Sequence, residues 1–334
     1  MSGMAETIHL PPEWAPHRAI WTAWPFDEAE WGGKVEPARA EIAAMIRALA
    51  DHDGDRVRVL ARAGASLESA EAAIGDCAEV IEAIYGDSWL RDTGPIFVKR
   101  AGARGAVAFS VNGWGGKYVM DGDEQVAAQV AGWADAPLAR ADFVLEGGAI
   151  DSDGEGTVLT TRQCLLNANR NGWDEAGAER ALGEALGVRK IIWLDQGLAN
   201  DHTDGHVDNI ARFVARGRVV CMSPGKNDPN TEALDAIARA LEAARDAQGR
   251  KLEVIRIPSP GRVLNAEGEV TPASHMNFII GNRSVVVPIY SDTGDDAVNA
   301  LAPLFPDRRV VGLSAHAVLA GGGAFHCITQ QEPA

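Results

Sequence analysis

The sequence predicts an α/β fold: five strand–strand–helix–strand units closed into a five-bladed α/β propeller. Three observations carry this expectation. Helical periodicity recurs along the chain, a short β-rich run follows each helical stretch, and hairpin-like pairs of apolar runs precede the later four helices. A doubly wound sheet would instead need parallel βαβ units without these hairpins, and neither GxGxxG nor GxxxxGK[ST] occurs.

In chain order, the first unit has the apolar run 19–24, a helix with Ile42, Met45, Ile46 and Leu49 on one face, and the strand 57–61. Run 19–24 has no local hairpin partner, and the C-terminal run 327–330 supplies one if the ring closes. A further helix near 67–74 stands outside the scheme. The second unit pairs 96–98 with 106–111, then has a helix near 124–134 and a strand at 143–145. The third pairs 149–150 with 157–160 across Asp153-Gly154, followed by a helix on Ala178, Ala181, Leu182 and Ala185 and the strand 190–194. The fourth pairs 210–214 with 218–222. Its helix, on Leu234, Ile237, Ala238 and Leu241, starts with Asp228-Pro229 as N-cap and first helical residue, and its last strand is 252–257. The fifth pairs 278–280 with 284–289 across Gly281-Asn282, then has a helix at 294–305 and a strand at 309–313. The units share a pattern and no sequence identity. Gly and Pro are spread evenly and no low-complexity linker interrupts the chain, so residues 1–334 read as one domain.

Composition narrows the function classes. With 31 basic and 47 acidic residues the net charge is −16, which repels nucleic acid and anionic membrane and weakly favours a cationic ligand. No apolar run reaches the length of about 18 residues that a membrane helix needs. The N-terminal stretch 1–9 lacks both a basic segment and an apolar core, so it does not read as a secretory signal. Cys77, Cys164, Cys221 and Cys327 are scattered without CxxC spacing, which points to reduced thiols and a cytoplasmic setting rather than a zinc knuckle or disulfide framework. A homo-oligomer is compatible with all of this.

The chemistry-bearing residues stand just before the first strand of each hairpin. They are the segment 87–95 (DSWLRDTGP) with Trp89 and Asp92, Glu146-Gly147-Gly148, the segment 202–209 with His206 and Asp208, His275-Met276-Asn277, and His326-Cys327 after the triple glycine 321–323. Taken singly, each has a plain reading: a salt-bridged turn for Asp92, a turn cap for Glu146, core packing for Trp89, a buried inert thiol for Cys327. His206 and Asp208 are two apart and, on a strand, would share one face. In a propeller such equivalent positions converge near the axis. Together they supply a thiol, an imidazole, a flat aromatic wall and carboxylates, two of which suit the planar fork of a guanidinium. A thiol needs help to ionise near neutral pH, from an imidazolium or from a cationic substrate.

DSWLRDTGP, VLEGG, DGHVDN and GGGAFHCITQQ together resemble the agmatine deiminases of the guanidine-modifying pentein superfamily. The resemblance runs from Pro11-Pro12-Glu13-Trp14 and residues 21–25 to the C-terminus. It implies the five-bladed propeller and hydrolysis of agmatine, a small cationic guanidine, to N-carbamoylputrescine and ammonia. It also implies roles. Cys327 attacks the guanidinium carbon and carries a thiouronium. His206 protonates the departing ammonia and then activates water. Asp92 and Asp208 clasp the guanidinium nitrogens, and Glu146 orients and charges the imidazole. Trp89 walls the substrate slot and Gly323 lets the backbone approach. No metal or organic cofactor is implied.

The chain departs from the family pattern at Ala324-Phe325, where relatives carry Asn-Ile, and at His275, where many carry tyrosine; both positions are expected to border the substrate tail. The glycine-rich stretch 113–118 reads equally as a lid over the pocket and as an ordinary surface loop. Three other readings compete: the same chemistry on arginine, methylated arginine or peptidyl-arginine; a non-catalytic binding module, which would lack one of the reactive residues; and a metal-dependent hydrolase using His202, Asp204, His206 and Asp208 as alternating ligands, which leaves the Cys327 segment unexplained.

Overall fold

The computed structural model describes residues 8–334, so most of the N-terminal stretch read for a secretory signal lies outside the described residues. Among the described residues the chain forms five small sheets. In each, an antiparallel pair of strands is joined by a parallel strand that follows a helix. The third sheet joins Asp151–Ser152 and Thr157–Thr161 to Lys190–Leu194, with Gly154 in a left-handed turn (φ 70°) between the first two. The fourth uses Ala211–Ala215, Arg218–Ser223 and Glu253–Pro258, and the fifth Ile279–Ile280, Ser284–Ile289 and Arg309–Ser314.

The first sheet closes the chain on itself. Thr329–Pro333 runs antiparallel to His17–Ala23, with Thr329 opposite Thr22 and Gln331 opposite Ile20. This is the partner that run 19–24 required. The helix outside the scheme is Ala65–Ile74, and it delivers an additional parallel strand, Glu79–Glu82, to the same sheet. The second sheet likewise gains an edge strand, Ile8–His9, antiparallel to Ile96–Arg100.

Helices wedge between neighbouring sheets, and that makes the units one body. The helix Val35–Ala50 buries Ile42, Met45, Ile46 and Leu49 completely, all on one face. It packs against the fifth sheet as well as its own, in one apolar cluster with Ile279, Val286, Phe325 and Ile328. Each such side chain contributes about 1.5–3 kcal/mol by leaving water. The helix Glu175–Leu186 is closed at both ends: Asp174 accepts the Gly177 amide at 2.8 Å, and Gly187 takes φ 72° just beyond it.

Boundaries differ from the expectation in instructive places. The fourth helix begins at Thr231 after Asn230, not at Asp228-Pro229: Asp228 accepts the Asn230 amide (2.8 Å) and the Ser259 hydroxyl (2.5 Å) in a turn ahead of it, and Leu234 makes the first α-helical bond, to the Asn230 carbonyl (2.9 Å). The last helix, Gly294–Leu301, passes into a 3-10 turn at Ala302–Leu304, where Pro303 lacks the amide proton an α-helix would use. Cys327 lies in a turn ahead of its strand rather than within it.

Candidate active site

Just before the first strand of each hairpin the chain makes a single tight turn: Leu90–Thr93, Gly147–Ala149, Val207–Asn209, residues 275–276 and residues 325–328. The first three touch one another in sequence around the centre. Such a turn aims a side chain inward while its backbone stays hydrogen-bonded. His206 and Asp208 thus enter from a 3-10 turn, not from one face of a strand, because left-handed Asp204 (φ 65°) and Gly205 (φ 86°) break the extended backbone ahead of them.

Gly148 marks where the groups meet. A Cβ there would stand 2.5 Å from His206 Nδ1, 3.0 Å from Asp208 Oδ2 and 3.1 Å from Asp92 Oδ1, so only glycine leaves them room. Asp92 Oδ1 accepts the Gly148 amide at 2.8 Å, and its Oδ2 accepts the Trp114 indole at 2.8 Å. Asp92 Oδ2 lies 3.8 Å from His206 Nδ1, and Glu146 Oε2 lies 4.0 Å from Nε2. Glu146 therefore charges the imidazole through space without a hydrogen bond, while its other oxygen is held by Arg170 Nε at 2.8 Å. Burial opposes the His206 imidazolium. Asp92, then the neighbouring Cys164 sulfur and last Glu146, outweigh that and hold its pKa well above 6.5. Burial in turn pushes the Cys164 thiol up, against the lowering effect of His206.

Cys327 faces the same space, 5 % exposed. Its Sγ receives Asn277 Nδ2 at 3.1 Å and lies 3.7 Å from Asp208 Oδ2. Burial first, then the charges of Asp208 and Asp92, push the thiol well above its ordinary pKa. Asp208 itself is lowered: burial would raise it, but the hydrogen bond from His326 Nδ1 at 2.7 Å prevails. His326 Nε2 meets Glu13 at 2.8 Å, and Glu13 also pairs with Arg212, which holds Asp151 at 2.6 Å. A carboxylate only accepts, so each ring nitrogen of His326 donates to its own carboxylate.

Trp89 walls the cavity. It stacks on Trp31 with ring centroids 5.6 Å apart, and one carboxylate, Asp87, receives both indoles at 2.7 and 3.1 Å. Gly323 abuts Trp89 and Cys327: a Cβ there would lie 2.8 Å from the ring and 3.1 Å from Sγ. The cavity itself measures about 180 Å³ and is lined by Trp89, Asp92, Trp114, Tyr118, Glu30 and Cys327 among others. Stretch 113–118 does cover it. Trp114 takes a left-handed backbone (φ 52°) between glycines, and Lys117 Nζ ties the loop to Asp204 and the His202 carbonyl, each at 2.7 Å.

The structure thus gathers Cys327, His206, Glu146, Asp208, Asp92, Trp89 and Gly323. The alternating metal set does not assemble. His202 sits at the rim against the Tyr118 hydroxyl (3.2 Å), and Asp204 is consumed by Lys117 and Arg170. Nor do the departures from the family pattern border this cavity. His275 is fully buried, bonded to the Pro288 carbonyl at 2.8 Å, and Ala324 and Phe325 are core residues.

Sequence reasoning missed Asn277, which anchors the Cys327 turn by accepting the His326 and Cys327 amides at 3.0 and 3.2 Å. Its signal was its place before the fifth hairpin, where the neighbouring histidine drew notice instead. Glu13 and Arg170 were given no role either, since each reaches the site across a long sequence separation, and Trp114 entered only as part of the stretch 113–118.

Comparison with known proteins follows this geometry. The profile of the Porphyromonas-type peptidyl-arginine deiminase family matches residues 9–333. An agmatine deiminase of Ectopseudomonas mendocina is 40% identical, over 99% of this chain and 96% of the relative. The solved agmatine deiminase of Enterococcus faecalis superposes with a TM-score of 0.92 at 32% identity, covering 98% of this chain and 96% of the other. A cysteine-to-serine variant of the C. jejuni agmatine deiminase with substrate bound gives 0.90 at 25% identity, covering 99% and 98%.

Proposed function

Because this chain belongs to the Porphyromonas-type peptidyl-arginine deiminase family, we propose that it hydrolyses agmatine to N-carbamoylputrescine and ammonia through the thiol of Cys327. The observation that carries the reading is a buried thiol 3.7 Å from Asp208 in a cavity it shares with Asp92, whose carboxylate lies 3.8 Å from the His206 imidazole.

That arrangement suits a cationic substrate. Before substrate enters, Asp92 and Asp208 oppose a thiolate. A guanidinium clasped between them offsets their charge and favours loss of the thiol proton to solvent. The sulfur then bonds to the guanidinium carbon. His206, held as imidazolium, gives its proton to the departing nitrogen, the C–N bond breaks, and ammonia leaves a thiouronium on Cys327. The neutral imidazole next takes a proton from water as the oxygen attacks. The C–S bond breaks, the hydroxyl proton of the adduct passes to solvent as the carbonyl forms, and the thiolate and the ureido product are released. Holding the carbon against the sulfur removes much of the entropic barrier, worth up to about 7–11 kcal/mol in well-oriented systems. Asp208 is kept ionised by His326, and Asp92 is kept in place by Gly148 and Trp114.

We read the whole chain as one catalytic domain in the cytoplasm. Its four cysteines are free, and no helix among the described residues is long and apolar enough to cross a membrane. A panel of agmatine, arginine, methylarginine and an arginyl peptide, assayed for ammonia and ureido product, tests the substrate. Turnover confined to free arginine or the peptide overturns the assignment.

A further inference from the structure

The reaction leaves two buried thiols, Cys164 and Cys221, without a task, and Cys164 is the one beside the His206 imidazole. Cys164 lies in the short turn Arg162–Leu165, with no exposed surface and its amide bonded to Thr161 Oγ1 at 3.1 Å. One donor atom each from Glu146, Cys164 and His206 falls within 4.8 Å of the others. Arg170 occupies Oε1 of Glu146 and leaves Oε2 turned toward His206. Neither ring nitrogen of His206, which is wholly buried, has a hydrogen-bond partner among the described residues.

We propose that Glu146, Cys164 and His206 form a binding site for a thiophilic divalent cation of the zinc class, and that filling it shuts the enzyme off by claiming the imidazole. Sulfur, imidazole nitrogen and carboxylate oxygen are the donor types zinc takes, at about 2.3, 2.0–2.1 and 2.0–2.2 Å. Donors at those lengths stand about 3.5 Å apart, so the cluster closes on an ion by side-chain shifts of about an ångström. The carboxylates that sustain a buried imidazolium here also favour a dication in its place. As the metal–sulfur and metal–nitrogen bonds form, the thiol proton and one imidazolium proton pass to solvent, and no oxidation state changes. A hard cation such as magnesium, which takes oxygen ligands, has no use for this thiol.

The site does not depend on which guanidine is hydrolysed; only the inhibition rests on the role proposed for His206. Binding and turnover are therefore read separately. In Cys327→Ser protein, titration with Co²⁺ should produce thiolate-to-cobalt absorption, and adding Cys164→Ser, or Cys164→Ala, should abolish it at unchanged circular dichroism. In protein with Cys327 intact, Zn²⁺ should inhibit ammonia release and Mg²⁺ should not, and Cys164→Ser should raise the half-inhibiting Zn²⁺ concentration at least about tenfold. A sulfur band that vanishes with Cys327→Ser alone, or survives loss of Cys164, overturns the site. Cobalt bound through Cys164 with Zn²⁺-indifferent turnover overturns the inhibition and, with it, the role of His206.

Discussion

Replacing Gly148 by alanine puts one methyl group where three reactive side chains meet. The new Cβ would lie 2.5 Å from His206 Nδ1, and ordinary contact begins at 3.4 Å, so the imidazole or the backbone must yield about 0.9 Å. Asp208 and Asp92 are each crowded as well, at 3.0 and 3.1 Å. None has an easy retreat: His326 holds Asp208, the Gly148 amide and the Trp114 indole hold Asp92, and His206 has no free surface. Misplacing reacting groups by about 1 Å costs roughly 10²-fold in rate, so kcat for ammonia release should fall at least that far. Overpacking should cost only about 1–3 kcal/mol of stability, since the added group is a single carbon. Thermal unfolding should drop by a few degrees, far less than the loss of turnover implies. Gly132→Ala is the control: it is helical, and its Cβ would meet nothing within 4 Å, so activity should not change. Folded Gly148→Ala protein with kcat within threefold of the parent would show that these groups do not need their observed spacing.

Cys327→Ser should abolish turnover with an unchanged unfolding curve; substantial residual activity removes the nucleophile from the scheme. The His206 pKa is raised, so its proton is present below 6.5 and is lost only as pH climbs through the higher folded value. The kcat/KM profile should therefore hold as pH rises past 6.5, and a fall centred there refutes the imidazolium. Trp114→Phe deletes a donor to ionised Asp92, whose pKa burial already raises, and should move the acid limb further up while lowering kcat/KM about ten- to a hundredfold, at about 1.5–3 kcal/mol for a charge-assisted bond. Glu13→Gln takes one of two carboxylate partners from each of Arg212 and His326 and should cost about 3–5 kcal/mol in denaturant unfolding. Because Arg212 and His326 overcome burial and depress the Glu13 pKa, that stabilisation is present above 4.5 and fades as pH falls toward the folded value. A deficit independent of pH across that window refutes the pairing.

Much of this protein was legible in one dimension. The five-unit pattern, the ring-closing role of the C-terminal strand and the inward residues all follow from periodicity and from position before each hairpin. These are local signals: a buried helix face repeats every three to four residues, and a buried strand is a short apolar run whatever its partner. Other assignments needed the folded chain. Asp228 makes a good cap on paper and does accept the Asn230 amide, yet Ser259 shares its carboxylate and the α-helix starts only at Thr231. His202 to Asp208 alternate like metal ligands, yet two left-handed residues turn the backbone and two cations take Asp204.

The amino-acid order alone determined the kind of chemistry: a thiol, an imidazole and acids at equivalent points of a repeated unit, in a chain with an excess of negative charge. Tertiary structure alone decided the electrostatics that make it work. Glu13 reaches His326 across 313 residues, Arg170 reaches Glu146 from another turn, and Asn277 reaches the sulfur from a different sheet. The reason is physical. Charge interactions depend on distance and burial, and neither is a function of position along the chain until the ring has closed.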